Sequence, residues 1–306
     1  MELIKFEGKP IEKLVEVISQ GIGTLYKPRA IRKEAEAEAY KIEIIERAKS
    51  KAQAESKLFE LETLNVIEQK LLFQEKRKQE NIDNIIEVAI TQINQESDVS
   101  SEKVDTDWAT RFFNIAEDIS SEEMQKLWGR VLSGEVKNPG AFSLRTLDVL
   151  KNLTKQEAEV FTKFVPLRIK SQSSDFIPYE DKAYLEKALN ISYTDILLMM
   201  ELGLINHTPD LAIITNGIRK SYTTLFENGN MAIFIETTAN KNKSSVKILN
   251  FTKIGCELSS LVPFESNVKY LLFVAKLFST PYTKIKVGKL EDQDGQKVLT
   301  NFVDID

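Results

Sequence analysis

Residues 29–72 are the stretch that most constrains the fold, because they contain neither glycine nor proline and are rich in the helix formers Ala, Glu, Lys and Leu. Apolar residues recur there at a mean spacing close to that of a coiled coil: Ile31, Ala35, Ala39, Ile42, Ile45, Ala48 and Ala52, followed by Leu58, Leu61 and Leu64. Alanine buries little area, so such a helix needs a partner. Long N-terminal helices are predicted, and both a helical hairpin and a dimeric coiled coil fit the pattern.

An amphipathic helix is predicted on each side of this stretch. Residues 11–25 place Ile11, Leu14, Val15, Ile18, Ile22 and Leu25 on one stripe. Because the basic segment "YKPRAIRK" follows, residues 10–33 could lie on an anionic membrane surface or pack on the protein itself. After 74–81, interpreted as a solvated face or a turn, a second stripe comprises Ile82, Ile85, Ile86, Ala89, Ile90 and Ile93.

Residues 95–105 are predicted to be a serine-rich linker, and the residues that follow them are predicted to form four short helices. The first two carry Trp108 and Trp128 on their buried stripes. Ser120 and Glu123 are expected to form a capping pair, as are Thr154 and Glu157, while Gly134 is expected to stop a helix and Ser143 to cap one. The predicted division is therefore 1–96 for the amphipathic and coiled-coil-like helices, 97–170 for a four-helix bundle with an aromatic core, and 171–306 for the remainder.

The segment "DWATRFFNIAEDISSEEMQKLWGRVLSGEVKNPGAFSLRTLDVLKNLTKQEAEVF" resembles the signature block of a bacterial family of unknown function. Members of that family carry a long Ala/Glu-rich helix before the block and a "GLI … T-x-x-G-x-x-L" segment after it. The family is loosely similar to proteins found with abortive-infection and other phage-defence systems. The resemblance implies a bacterial cytoplasmic protein with a defence role, and it assigns no catalytic residues.

The C-terminal third predicts an α+β module. Hairpins are expected around Asn228-Gly229 and around Asp294-Gly295, with a further strand at 244–251 and a short helix capped by Thr252. The order of helix, Gly-Leu-Ile, hairpin and T-x-x-G-x-x-L resembles a winged-helix module. The predicted fold class is consequently mainly α, with long N-terminal helices, a central helical bundle and a winged-helix-like C-terminal module.

No residue pattern predicts catalysis, a cofactor or a metal centre. The chain has one cysteine, Cys256, and one histidine, His207, which leaves neither a thiolate cluster nor a histidine metal site. Asp105 and Asp107 suit a helix start better than a metal pair. The net charge of −5 argues against general polyanion binding, and no signal peptide or membrane span is expected.

The candidate interaction residues are Arg145, Trp108, Trp128, Lys241, Lys243 and Lys247. An arginine at position 145 could hold a ligand phosphate, or tie its helix to a carboxylate or to carbonyls of the Pro139 loop. The favoured hypothesis is a cytoplasmic, non-enzymatic homo-oligomer that assembles through its N-terminal helices and binds a protein partner, in phage defence. Two alternatives stay open: a winged-helix DNA-binding regulator, and a membrane-surface effector peripheral at the inner membrane.

Overall fold

The structure is a computed structural model that describes residues 9–23, 58–93, 99–172, 174–206, 208, 211–216, 222–237, 243–293 and 296–305. The predicted helical seam of residues 31–52 lies outside these ranges. The chain divides into two compact units, Met1–Leu147 and Asp148–Asp306, called the N-terminal and C-terminal units below. The predicted boundaries near residues 96 and 170 stay predictions.

The described residues of the N-terminal unit form helices joined by loops, with no strand among them. Its helices are α1 (Lys9–Ile22), α2 (Leu58–Ile93), α3 (Thr106–Ala116) and α4 (Glu122–Lys137), followed by the start of α5 (Leu144–Asn152). Helix α1 packs on α3, and the C-terminal half of α2 packs on α4. The apolar stripe predicted at 82–93 is confirmed, since all six of its residues are buried. Residues 74–81 continue α2 and are mostly exposed or half-buried, so the solvated face is confirmed and the alternative of a turn is wrong.

Local signals at the ends of α4 were partly misassigned from sequence. The helix begins at Glu122 after Ser121, whose side chain makes no capping hydrogen bond, so the Ser120–Glu123 capping pair is wrong. Gly134 does not stop the helix, which continues to Lys137. A Cβ at Gly134 would lie 2.8 Å from Cε2 of Phe142, so glycine is needed here for close packing.

The C-terminal unit combines helices with one large antiparallel sheet. Its remaining helices are α6 (Lys155–Phe164), α7 (Lys182–Leu189), α8 (Tyr193–Glu201), α9 (Lys253–Ser259) and α10 (Val268–Leu277), with a 3-10 turn at Val165–Leu167. The strands are β1 (Ile169–Lys170), β2 (Asp175–Pro178), β3 (Ile205–Asn206), β4 (Ala212–Asn216), β5 (Tyr222–Asn228), β6 (Met231–Thr237), β7 (Lys243–Phe251), β8 (Thr283–Gln293) and β9 (Gln296–Ile305).

The sheet runs in the order β3-β7-β2-β1-β5-β6-β8-β9, and β4 pairs with a separate part of β7. Both predicted hairpins are confirmed, with Asn228 opposite Met231 and Gln293 opposite Gln296. The predicted strand at 244–251 is confirmed as β7, and Thr252 accepts a hydrogen bond from Gly255 N as the cap of α9. The capping box of Thr154 and Glu157 at the start of α6 is also confirmed.

The predicted fold class is wrong. The described residues form ten α-helices and nine strands, so the chain is α+β with a large C-terminal sheet rather than mainly α. The C-terminal part is not a winged-helix module, because β1 and β2 connect β7 to the β5-β6 hairpin and β6 pairs with β8, so that both hairpins belong to one large sheet. The predicted four-helix bundle of 97–170 does not form either, since α3 and α4 pack on α1 and α2.

Candidate functional site

The two tryptophans of the signature block form an aromatic cluster inside the N-terminal unit. Trp108 stacks on Phe112 with ring centroids 5.0 Å apart, and Trp128 lies 5.1 Å from the same ring. Both tryptophans are buried. They are core residues in this unit, which leaves neither indole exposed for a partner.

A buried carboxylate that was missed from sequence holds the Asn-Pro-Gly loop. Glu135 Oε1 accepts a hydrogen bond of 2.6 Å from Gly140 N, and its Oε2 accepts one of 2.9 Å from Phe142 N. Trp108 Nε1 then donates to the carbonyl oxygen of Phe142 at 2.7 Å. The segment between α4 and α5 is therefore fixed by side chains from α3 and α4, and Gly140 supplies the left-handed backbone of the turn (φ 86°).

Arg145 is exposed at the start of α5. Among the described residues, none forms a hydrogen bond or ion pair with it, and Glu135 holds the Pro139 loop instead. The role of Arg145 as an anion anchor stays a prediction. Of the three candidate lysines, Lys247 is exposed on β7, where its backbone N donates to Glu180 Oε2 at 2.9 Å. Lys241 and the side chain of Lys243 lie outside the described residues, as does His207.

The "GLI" and "T-x-x-G-x-x-L" segments meet at one junction in the C-terminal unit. Thr252 Oγ1 donates to the carbonyl oxygen of Gly203 at 2.6 Å, and Thr252 N donates to that of Leu204 at 3.0 Å. Gly255 lies against the same Leu204 carbonyl, where a Cβ would approach the oxygen to 2.0 Å. Gly203 takes a left-handed conformation (φ 67°) that ends α8. Both motifs thus serve to pack α9 against the end of α8.

The single cysteine belongs to a structural cluster next to this junction. Cys256 Sγ lies 3.5 Å from Asp175 Oδ2, and Arg168 Nε lies 3.6 Å from the same oxygen. Arg168 also donates to Ser259 Oγ. Burial, and then the negative charge of Asp175, raise the pKa of the Cys256 thiol to about 12. A thiol with that pKa is protonated at neutral pH and is a poor nucleophile.

Alkylation of Cys256 in the folded protein is therefore expected to be slow. At pH 8 a thiol with a pKa near 12 holds on the order of a thousandfold less thiolate than a free cysteine, and only the thiolate reacts. Iodoacetamide labelling followed by intact-mass measurement tests this result. The same chain unfolded in guanidinium is the control, because it contains no other cysteine. Equal rates in the folded and unfolded chains would contradict the raised pKa of the partly buried Cys256 thiol.

In the part of the chain that the structure describes, no group of three or more His, Cys, Asp and Glu side chains is arranged to hold a metal ion. Within the same ranges, each helix is too short or too polar to cross a membrane.

An exposed apolar run lies on the N-terminal part of α2, residues 58–81, called the α2 extension below. Leu71 and Leu72 are each 54% exposed and Phe73 is 69% exposed. Farther along the same helix Ile85, Ile86 and Ala89 are buried in the N-terminal unit. The extension therefore carries apolar side chains into solvent, and sequence analysis had not singled out this run.

A polar network holds the base of the α2 extension. Asn81 Nδ2 donates to the carbonyl oxygen of Glu117 at 2.8 Å, and Gln125 Nε2 donates to Asn81 Oδ1 at 3.1 Å. Lys78 Nζ lies 2.7 Å from Glu117 Oε1, and this hydrogen bond raises the pKa of Lys78. Asn84 donates to Gln125 Oε1 at 3.1 Å. The direction of the extension relative to α3 and α4 is consequently set by hydrogen bonds as well as by packing.

The comparisons with known proteins identify a family. A family model described as "Protein of unknown function (DUF2806)" matches residues 66–275, about two thirds of the chain. No curated protein and no solved structure gives a match. The matched range includes Leu71–Phe73, the signature block and the junction between α8 and α9, and the expected membership of a family of unknown function is confirmed. The chain belongs to the DUF2806 family of proteins of unknown function.

Proposed function

We propose that this protein is a non-enzymatic interaction protein that self-associates through the α2 extension. The observation that carries the proposal is the exposure of three consecutive large apolar side chains, Leu71, Leu72 and Phe73, on a helix whose other half is buried. Soluble proteins scatter single apolar residues over their surfaces, whereas several large ones exposed on one turn of a helix indicate a contact surface. A second copy of the chain supplies a matching run by symmetry.

Burial of these side chains contributes favourable free energy to a dimer. Burying a Leu or Phe side chain contributes about 1.5–3 kcal/mol, and a symmetric interface buries each residue twice. Association also costs translational and side-chain freedom. The polar network around Asn81 and Gln125 reduces that cost, because it orders the base of the helix before the copies meet.

The C-terminal unit has a surface suited to a protein partner. Tyr193 and Leu197, one turn apart on α8, are both exposed. Beside them lies a cavity of about 320 Å³ lined by Tyr179, Leu185, Glu186, Ile191, Tyr193 and Ile196. A cavity lined by aliphatic, tyrosine and glutamate side chains next to exposed apolar side chains suits the anchoring side chain of a partner. We include this surface as the second element of the proposal.

Other parts of the functional hypothesis stay predictions. The phage-defence role, the cytoplasmic location with contact at the inner membrane, and nucleic-acid binding through Lys241, Lys243 and Lys247 belong to them. The winged-helix basis for DNA binding is removed by the sheet topology. For membrane binding, Ile11, Leu14 and Ile18 of α1 are buried in the N-terminal unit, so this apolar face is occupied.

The double substitution Leu72→Glu/Phe73→Glu is expected to weaken self-association of the full chain by roughly a hundredfold or more. Each copy loses two apolar contacts and gains two charges, and every 1.4 kcal/mol corresponds to about a factor of ten. Sedimentation equilibrium over micromolar concentrations measures the change. The wild-type chain is expected to be a dimer, and the variant a monomer.

Tyr282→Glu is the matched control, because Tyr282 is 51% exposed but lies in the C-terminal unit. It is expected to leave the association constant unchanged. Far-UV circular dichroism of all three proteins shows whether the fold is retained. A wild-type chain that is monomeric at all concentrations would exclude the proposal, and so would a double variant that dimerises like the wild type.

A further inference from the structure

We infer that strand β9 is a second contact surface between copies of the chain, at which two β9 strands pair in antiparallel orientation. This surface lies in the C-terminal unit, so the inference goes beyond the α2 extension and does not depend on it. In the sheet order β9 comes last, and β8 is its only partner among the described strands. The other edge of β9 therefore presents backbone N–H and C=O groups that a further strand can pair.

The register of the sheet shows which β9 residues direct their backbone groups toward this free edge. Successive residues of a strand direct these groups to alternate sides. Leu290 N donates to the carbonyl oxygen of Asn230 at 2.9 Å, so Leu290 faces β6 and its β9 partner Leu299 faces outward. The same alternation, followed through the β8–β9 register, gives the residues that face the free edge: Lys297, Leu299, Phe302 and Asp304.

A bulge in β9 gives the free edge a spacing that identifies its partner. Asn301 and Phe302 lie opposite the single residue Gly288, and Asn301 takes a left-handed conformation (φ 47°). The outward-facing residues are consequently two, three and two positions apart, whereas those of a regular strand are two apart throughout. The order two, three, two is the same in both directions. A second β9 in antiparallel orientation therefore matches the whole edge, and a regular strand matches only one half of it.

The side chains along this edge are complementary in the same register. The four outward-facing residues project from the sheet face that carries Lys286, whose Nζ lies 4.2 Å from the ring centroid of Phe302. Leu299 of one copy stands opposite Phe302 of the other, and Lys297 stands opposite Asp304. Phe302 is 45% exposed in the single chain. Pairing therefore gives an apolar side chain an apolar neighbour on each side of the symmetry axis.

The opposite face of the sheet carries a further apolar pair. Val303 is 59% exposed, although its neighbour Val287 on β8 is buried. In the antiparallel register, Val303 of one copy stands opposite Val298 of the other. Lys297 Nζ already lies 2.6 Å from Glu227 Oε1 of its own chain, so Asp304 of the other copy would share a paired ammonium group. The backbone and the apolar pairs consequently contribute more than the charges.

This contact is expected to be weak. Two strands alone form a marginally stable pair in water. At the micromolar concentrations that test the α2 extension, β9 pairing is therefore expected to be largely dissociated. At higher concentrations it is expected to join further copies, because the surface is self-complementary and each chain carries one.

Disulfide trapping in the full chain tests the register. Val298→Cys and Val303→Cys are made separately in a Cys256→Ser background that also carries Leu72→Glu/Phe73→Glu, which removes the α2 contact. Directly opposite residues of a non-hydrogen-bonded pair have Cα atoms about 4.5 Å apart, within the range of a disulfide. Each position lies five residues, or roughly 15 Å, from its own symmetry copy. Oxidation at high protein concentration is expected to give disulfide-linked dimers from the mixture and not from either variant alone.

Leu299→Pro, added to both cysteine variants, separates edge pairing from chance collision. The N–H of Leu299 faces outward, so proline there removes a donor to the second copy and leaves the β8–β9 ladder intact. Leu299→Ala retains the N–H and is the matched control. The yield of linked dimer on non-reducing electrophoresis is expected to fall by roughly tenfold or more with proline and by less with alanine. Far-UV circular dichroism shows whether each variant keeps its fold.

The outcomes are distinct from those of the proposed function. Linked dimers from Val298→Cys alone or Val303→Cys alone, in the same yield as from the mixture, would overturn the register. The absence of a linked dimer at every concentration would overturn pairing through β9, and so would a yield that Leu299→Pro leaves unchanged. The α2 contact is decided separately by sedimentation, because the chains with Leu72→Glu/Phe73→Glu lack it.

Discussion

Replacement of Trp128 by alanine is expected to lower the free energy of unfolding of the N-terminal unit by about 3–5 kcal/mol, the usual cost of removing a buried aromatic side chain. Trp128 is fully buried, and its ring packs against Phe112 in the aromatic cluster. A Cβ on Gly129 would lie 2.6 Å from Val88 Cβ, which shows how closely α4 approaches α2 beside this tryptophan. The closely packed helices limit how far the cavity left by alanine can collapse.

Chemical denaturation followed by tryptophan fluorescence measures this effect, because both tryptophans lie in the N-terminal unit. Trp108 supplies the signal in the Trp128→Ala variant. An unchanged denaturation midpoint would show that Trp128 is not the core residue described here.

Two conservative variants separate the roles of the tryptophans. Trp128 Nε1 finds no hydrogen-bond acceptor among the described residues, so Trp128→Phe removes a buried, unsatisfied donor along with some volume. Trp108 Nε1 donates to the Phe142 carbonyl, and Trp108→Phe leaves that buried oxygen without this donor. An unsatisfied buried group costs about 1–3 kcal/mol, so Trp108→Phe is expected to be the more destabilising of the two.

Features encoded within a few residues were predicted well from sequence. The stripe from Ile82 to Ile93, the Thr154–Glu157 cap and the Asn228-Gly229 hairpin all depend on near neighbours, and the structure confirms them. Their signals are a helical period, a reciprocal side-chain pair and a turn dipeptide. Such local signals are independent of the rest of the fold.

The sheet could not be predicted, because its organisation depends on distant partners. Strands β1 and β2 contain only two and four residues, which is too short for a periodic pattern. They are strands because they bridge β5 and β7. The sequence also predicts no element at Val268–Leu277, which forms helix α10. Its nearly continuous apolar residues fit a buried strand as well as a buried helix. The fold class was predicted to be mainly α because these strands were not recognised in the sequence.

The candidate site was predictable only in part, for the same reason. The buried positions of Trp108 and Trp128 follow from helical spacing, whereas Gln125 acquires its role from Asn81, 44 positions away. The role of Glu135, by contrast, could have been predicted from its position in the sequence. It follows Trp128, Val131 and Leu132 on the buried stripe and precedes the Asn-Pro-Gly turn. An acid on an apolar stripe before a turn with free backbone N–H groups predicts a loop anchor.

Replacement of Gly255 by alanine is expected to destabilise the C-terminal unit by about 1–3 kcal/mol, although alanine is normally favoured over glycine in a helix by about 1 kcal/mol. The new methyl group would lie 2.0 Å from the carbonyl oxygen of Leu204. That oxygen cannot move aside freely, because it accepts a hydrogen bond from Thr252 N at 3.0 Å. The clash therefore separates α9 from the end of α8 or breaks the bonds of the Thr252 cap.

Two probes locate the effect of Gly255→Ala. The unfolding midpoint measured by far-UV circular dichroism reports both units, and the tryptophan midpoint reports the N-terminal unit alone, so only the former is expected to shift. Lys269→Ala, at an exposed residue of α10 in the same unit, is the matched control and is expected to change the free energy by less than about 0.5 kcal/mol. A Gly255→Ala variant as stable as the wild type, or more stable, would contradict the close approach of α9 to Leu204. Helix propensity predicts that Gly255→Ala raises the free energy of unfolding, and steric packing predicts that it lowers it. The sign of the measured change therefore distinguishes the two effects.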